Sequence, residues 1–181
     1  MVSITMIREN GLPVPQYELP EGFVIKPLGV DEGEKWEEVL IASGFRKEEI
    51  AGVFEREFAP YPEEFDRILM LKDARTGEYI GTTSAWFDHQ FQGGGWGRIH
   101  WVGLSEAYQG RGLANPLMSA AMNILVARHE RSMLVTQPFR LKAINMYLKY
   151  GFEPFVLSEE EMEGWREVEA ALGRKLHIHR P

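Results

Sequence analysis

Residues 101–114 read Trp101-Val102-Gly103-Leu104-Ser105-Glu106-Ala107-Tyr108-Gln109-Gly110-Arg111-Gly112-Leu113-Ala114. An apolar strand runs into a polar, glycine-rich turn, and the turn opens a long helix. Glycine lets backbone come close to a ligand. The first turn of a helix carries N–H groups without helical acceptors and a partial positive charge. Together these features favour a phosphate or pyrophosphate.

Working outward from the turn, the upstream block is rich in strand signals. Ile68 to Lys72 reads as a strand, Ala74-Arg75-Thr76-Gly77 as a tight turn and Tyr79 to Phe87 as the antiparallel partner. A loop with three consecutive glycines, Gly93 to Gly95, leads to a strand from Gly97 to Leu104. This is a meander of antiparallel strands, not a βαβ repeat. Earlier still, residues 1–20 read as an irregular lead-in, because Pro13, Pro15 and Pro20 interrupt regular patterns. Phe23 to Leu28 is a first strand, with Pro27 pointing to an edge. Asp31 and Glu34 have capping-box spacing for a helix carrying Trp36, Val39 and Leu40, which Gly44 stops. Ile50, Val53, Phe54 and Phe58 form one stripe of a second helix.

Downstream, Leu117, Ala121, Ile124 and Leu125 mark an amphipathic helix from Leu113 to about Arg128. Pro116 falls in its first turn, where proline is tolerated. Met133 to Thr136 is a short strand, and the strand–helix–strand passage from Val102 to Thr136 implies a parallel pair. A helix from Leu141 to Tyr150 ends at Gly151, and Phe152 to Leu157 is a strand. The tail holds a helix around Trp165, Val168 and Leu172, then the alternating stretch Leu176-His177-Ile178-His179. The expected architecture is α/β or mixed α+β: a central, mostly antiparallel twisted sheet flanked by helices.

Composition bounds the function. A chain of 181 residues with ordinary apolar and charged fractions predicts one soluble domain. No apolar run reaches the roughly 18 residues of a membrane span, and the N-terminus does not read as a secretory signal. The formal net charge of −7 disfavours a nucleic-acid partner. There is no cysteine, which removes disulfides, thiolate metal sites and a cysteine nucleophile, and fits the cytoplasm. His177 and His179 share one strand face without a third ligand nearby, so no metal is expected.

Three phosphate-binding patterns compete for the turn. A P-loop needs lysine and then Ser or Thr after its last glycine, and Gly112 is followed by Leu113. A dinucleotide fingerprint needs a third glycine after a first strand, and here Asn115 stands in its place after a meander. The third pattern, Gln/Arg-x-x-Gly-x-Gly/Ala, is met by Gln109, Gly112 and Ala114. With those residues the chain resembles the GNAT superfamily of acetyl-CoA-dependent N-acetyltransferases. A second stretch, Ala143-Ile144-Asn145-Met146-Tyr147-Leu148-Lys149-Tyr150-Gly151-Phe152, resembles the family's Ala-x-x-Leu-Tyr-x-x-x-Gly-Phe segment. The likeness spans roughly residues 22–157, with 158–181 a C-terminal extension of the single domain. One departure is Arg140, which stands where the family often has asparagine.

The resemblance implies acetyl transfer from acetyl-CoA to a primary amine by direct attack, on a sheet whose parallel pair splays at the cofactor. It assigns Val102, Gly103 and Leu104 to the pantetheine arm and the thioester oxygen. Gln109, Gly110, Arg111, Gly112, Leu113 and Ala114 would cradle the pyrophosphate, with Asn145 counted among the cofactor contacts and Arg140 a candidate for a CoA phosphate. Tyr147 falls on the position that protonates the leaving thiolate, and a phenol is a proton donor at neutral pH. His100 is the candidate base, placed by alternation on one strand face with Val102 and Leu104, with a glutamate elsewhere or ordered water as the family's other bases. Glu55, Glu57, Glu63, Glu64 and Asp66 read first as a solvated acidic face, and Phe58, Tyr61, Trp86 and Phe87 first as core. The acceptor stays open between a small-molecule amine and a peptide or protein amine. Rival readings are a non-catalytic acyl-CoA-binding or regulatory protein, and a transferase using a longer acyl-CoA. Monomer and homodimer are both open, the tail strand being available to pair across a dimer.

Overall fold

A computed structural model describes residues 2–181. Its strands are β1 (Ile4–Glu9), β2 (Phe23–Pro27), β3 (Ile68–Asp73), β4 (Tyr79–Asp88), β5 (Trp96–Leu104), β6 (Arg131–Thr136) and β7 (Glu153–Phe155). The helices are α1 (Gly33–Ala42), α2 (Lys47–Ile50), α3 (Val53–Glu57), α4 (Ala114–Arg128), α5 (Leu141–Lys149) and α6 (Glu159–Leu172). The strands form one mixed sheet in the order β2-β3-β4-β5-β6-β1-β7, flanked by helices. The chain divides into two compact units, each discontinuous in sequence. One comprises residues up to Pro15 with Phe87–Arg98 and Val126–Pro181; the other comprises Gln16–Trp86 and Ile99–Leu125.

In the first unit the expected parallel pair is present, with Gly97 opposite Ser132 and Arg98 opposite Met133. The irregular lead-in expected for residues 1–20 is corrected by β1. It pairs antiparallel with β6 from Ile4↔Thr136 to Glu9↔Arg131, and with β7 from Thr5↔Phe155 to Ile7↔Glu153. Proline disrupts only the chain after this strand. What hid β1 is its composition, because a central strand buried on both faces lacks polar–apolar alternation. Ile4, Met6, Thr5 and Arg8 are all buried. The two polar ones are satisfied: Thr5 donates to Glu161 at 2.8 Å, and the Arg8 guanidinium donates to carbonyls of Tyr150 at 2.6 Å and Leu12 at 2.7 Å. The tail stretch 176–179 is not a strand. It makes a single parallel bridge, His179 with Phe155, held by two backbone bonds. The strand expected over 152–157 is trimmed to β7. Ser158 caps α6 by accepting from the Glu161 N–H, and Gly173 ends it in the left-handed region.

In the second unit β2 is an edge strand, as Pro27 implied. The capping box expected from Asp31 and Glu34 is absent, because Glu32 is the residue at the start of α1. Its carboxylate instead accepts from Gly29 N at 2.8 Å, Lys26 Nζ at 3.1 Å and the Tyr79 hydroxyl at 2.5 Å. Gly44, at φ +91°, ends α1 as expected. The single second helix is corrected to two short ones, α2 and α3, broken at Gly52 with φ +68°. The apolar stripe survives the break, since Ile50, Val53, Phe54 and Phe58 are all buried. They enclose Trp36, whose ring lies 5.7 Å from Phe54 and 5.2 Å from Phe58. The β3–β4 hairpin closes over Asp73, whose carboxylate accepts from the N–H groups of Arg75 and Thr76.

Candidate functional site

The glycine turn lies wholly in the second unit. Ser105 N donates to Ile80 O at 2.8 Å, so the end of β5 is tied to β4 before the chain turns. A short 3₁₀ turn, Glu106–Tyr108, follows. The buried Tyr108 hydroxyl donates to Asp73 at 3.1 Å, which fixes the turn to the β3–β4 hairpin. Gly110 and Gly112 adopt φ +77° and +78°, conformations that side chains resist. No atom lies within 4 Å of where a side chain would begin at either glycine, so that face of the turn is open. Gln109 and Arg111 brace it from within: Gln109 Nε2 donates to Leu104 O at 3.1 Å, and Arg111 donates to Ala107 O at 2.9 Å. The Arg111 guanidinium also stacks 4.6 Å above the Tyr108 ring. Leu113 is buried and pins the head of α4. Proline at Pro116 costs no bond there, because first-turn amides have no acceptor inside the helix. An open turn, bare of side chains and ending on a helix N-terminus, fits a pyrophosphate.

Just before the turn, β5 contains a distortion that alternation could not foresee. Trp101 adopts φ +49°, the left-handed region for a bulky residue. The backbone flip brings two consecutive side chains to one carboxylate. His100 Nε2 lies 2.9 Å from Glu57 Oε2, and the Trp101 indole N–H donates to the same oxygen at 3.0 Å. Trp101 thus departs from regular pleating within β5. Burial alone would raise the Glu57 carboxyl, but bonds from His100, Trp101 and Arg56 hold it at about 2. Glu57 is thus a carboxylate at neutral pH. The Trp101 ring is clamped 5.8 Å from Trp36 and 5.7 Å from Phe45. Gly103 is set by packing: a Cβ there would come within 2.9 Å of Leu40 Cδ2 and of Ser43 Oγ. Val102 and Leu104 are partly exposed.

The remaining candidates belong to the first unit. Tyr147 is buried on α5, with its ring centroid 6.3 Å from that of Phe152. Burial pushes its phenol up to about 12, against the opposing charge of Arg140. Arg140 stands at the N-cap position of α5. Asn145 lines a surface cleft with Leu148, Lys149, Leu172 and Arg174, and accepts from the Arg174 guanidinium at 3.5 Å.

Glu57 is the residue that sequence reasoning placed on a solvated acidic face and the structure sets against His100. Of its neighbours in that group, Glu64 pairs with Arg67 at 3.2 Å, while Glu55, Glu63 and Asp66 are exposed. The aromatic candidates divide similarly. Phe58 and Trp86 are core, their rings 4.8 Å apart, whereas Tyr61 is exposed and lies 6.0 Å from Trp86. His179 bonds Glu153 at 2.6 Å, and among the described residues no group of three or more His, Asp or Glu is placed to hold a metal ion. Among the described residues no helix is long and apolar enough to cross a membrane.

A seven-stranded mixed sheet with a parallel pair, flanked by helices, is the fold of the GNAT acetyltransferases. The chain belongs to the acetyltransferase (GNAT) family, whose model matches residues 34–152. No curated protein matches it. Among solved structures it is similar to a GCN5-related N-acetyltransferase from Sphaerobacter thermophilus, with TM-score 0.65 and 20% identity over 84% of this chain and 48% of that one. An acetyltransferase of the GNAT family from Colwellia psychrerythraea gives TM-score 0.64 at 11% identity, over 84% of this chain and 52% of that one. Glucosamine-6-phosphate N-acetyltransferase from Arabidopsis thaliana gives TM-score 0.53 at 21% identity, over 72% of this chain and 91% of that one. The chain thus spans about half the length of the first two. At these identities the likeness is one of fold.

Proposed function

We propose that the chain transfers an acetyl group from acetyl-CoA to a primary amine by direct attack. The observation that carries this reading is the open turn at Gly110 and Gly112 ahead of α4, within a chain of this family. Gln109 to Ala114 hold the pyrophosphate through main-chain N–H groups, and Val102 to Leu104 hold the pantetheine arm and polarise the thioester carbonyl. Arg140 and Asn145 supply further contacts to the CoA moiety. Reaction needs the amine neutral, the carbonyl polarised and the departing thiolate protonated. His100 accepts the proton the ammonium gives up, the amine nitrogen bonds the carbonyl carbon, the C–S bond breaks, the thiolate takes its proton from Tyr147, and the proton shed by the acylated nitrogen restores the Tyr147 phenol. The chain has no cysteine to carry the acetyl group, which supports direct attack over a cysteine-bound acyl intermediate.

The acceptor is an amine of a small molecule or of a peptide. Incubating the protein with acetyl-CoA and a panel of polyamines, arylalkylamines, amino sugars and amino-terminal peptides, with thiol release and product mass as readouts, tests the proposal. Amine-dependent thiol release with one acetyl group added to the amine is the expected result. Binding of acetyl-CoA without turnover on any amine supports the non-catalytic reading instead.

A further inference from the structure

We infer that Glu57 is the positioning residue for the acceptor-side base, holding the His100 ring through the same carboxylate oxygen that accepts from Trp101. This rests on the reading of His100 as that base. A neutral imidazole carries one ring proton, and the 2.9 Å contact from Nε2 to a carboxylate oxygen places it on Nε2. Nδ1 is then the nitrogen that accepts. The carboxylate also stabilises the imidazolium formed when the ring takes the ammonium proton, so the proton stays on the ring and Glu57 is not itself protonated.

The left-handed backbone of Trp101 makes the arrangement possible. In regular β pleating His100 and Trp101 point to opposite faces; at φ +49° both reach Glu57. Trp101 locks the carboxylate in place with an uncharged donor, leaving its charge undiminished. The other charged group on Glu57 is its neighbour Arg56, 3.4 Å from Oε1, and that pair is exposed on the Arg56 side. Exposure of this kind weakens the Arg56 pair, whereas the His100 contact is more enclosed.

Nitrogen-15 NMR of the imidazole rings in the full chain, with the His100 signals assigned by loss in His100→Gln, tests this without any acceptor. The expected result is the Nε2–H tautomer, with a titration midpoint that drops by about one pH unit in Glu57→Gln, where the amide oxygen keeps the bonds and the charge is gone. An Nδ1–H tautomer in the wild type overturns the inference, and so does a midpoint unmoved by Glu57→Gln. Should Glu57→Gln not fold, the wild-type tautomer alone decides. The base reading fails separately: if His100→Gln keeps the acid limb of the pH–rate profile on an amine from the panel, His100 is not the base, whatever its tautomer.

Discussion

The indole N–H of Trp101 donates to Glu57 Oε2 at 3.0 Å from a backbone held at φ +49°. A bulky residue in that region costs about 1–3 kcal/mol, so the surroundings must over-determine it. They do so through that bond and through ring contacts to Trp36 and Phe45. The strained residue sits three positions before Leu104, where β5 ends and the chain enters the glycine turn. Strain, carboxylate and histidine thus meet within one unit, the carboxylate brought from α3 to β5.

Tyr147→Phe separates chemistry from binding. The phenol is buried and its dissociation lies near 12, so it remains a donor throughout the pH range of an assay. Steady-state kinetics are expected to show kcat reduced about 100-fold with the KM for acetyl-CoA nearly unchanged. The same shift has a stability signature. A folded-state value raised from 10.0 to about 12 contributes stability below pH 10 that is lost as pH rises toward 12. Urea melts of wild type and the Phe variant should therefore converge or cross over that window.

Glu32 holds α1, β2 and β4 together through Gly29, Lys26 and Tyr79. Desolvation works to raise its carboxyl, yet those bonds bring it from 4.5 to about 2. The depressed value contributes stability above pH 4.5 that is lost as pH falls through about 2. Glu32→Gln is expected to cost about 1–2 kcal/mol at pH 7, with the gap to wild type closing between pH 4.5 and 2 in denaturant titrations.

Arg8 is a buried cation satisfied by carbonyls instead of a carboxylate. It donates to Tyr150 O, just past the end of α5, to Leu12 O and Pro13 O, and to Asn10 Oδ1. The C-terminal end of a helix favours a positive charge. Arg8→Met leaves the buried Tyr150 carbonyl and the part-buried acceptors of the 9–13 segment without their donor and is expected to cost about 2–4 kcal/mol by urea unfolding. Arg8→Lys should recover only part of that loss, because a lysine cannot span the same fork of acceptors.

How much of this was legible in the sequence follows from which signals are local. The glycine turn, the hairpin at Asp73, the stop at Gly44 and the parallel pair announce themselves by residue type and spacing. The strand Ile4–Glu9 does not, since a strand buried on both faces shows no alternation and its polar residues find partners more than 140 residues away. The break at Gly52 was masked because the apolar stripe stays in phase through it. The link between Glu57 and His100 was hidden for a different reason. It joins residues 43 apart, and nothing in Arg98-Ile99-His100-Trp101-Val102 marks Trp101 as the residue that turns left-handed.

Acetyl-CoA binding at the turn of Gly110 and Gly112 is the step on which the proposed activity rests. Isothermal titration of acetyl-CoA into the wild type and into Gly112→Val tests it most directly. A β-branched side chain at φ +78° strains the turn and fills its open face. The expected result is saturable binding by the wild type and a loss of at least about tenfold in affinity for the variant, corresponding to about 1.4 kcal/mol, with its far-UV circular dichroism unchanged. Absence of binding by the wild type, or equal affinity in a folded Gly112→Val, would contradict it.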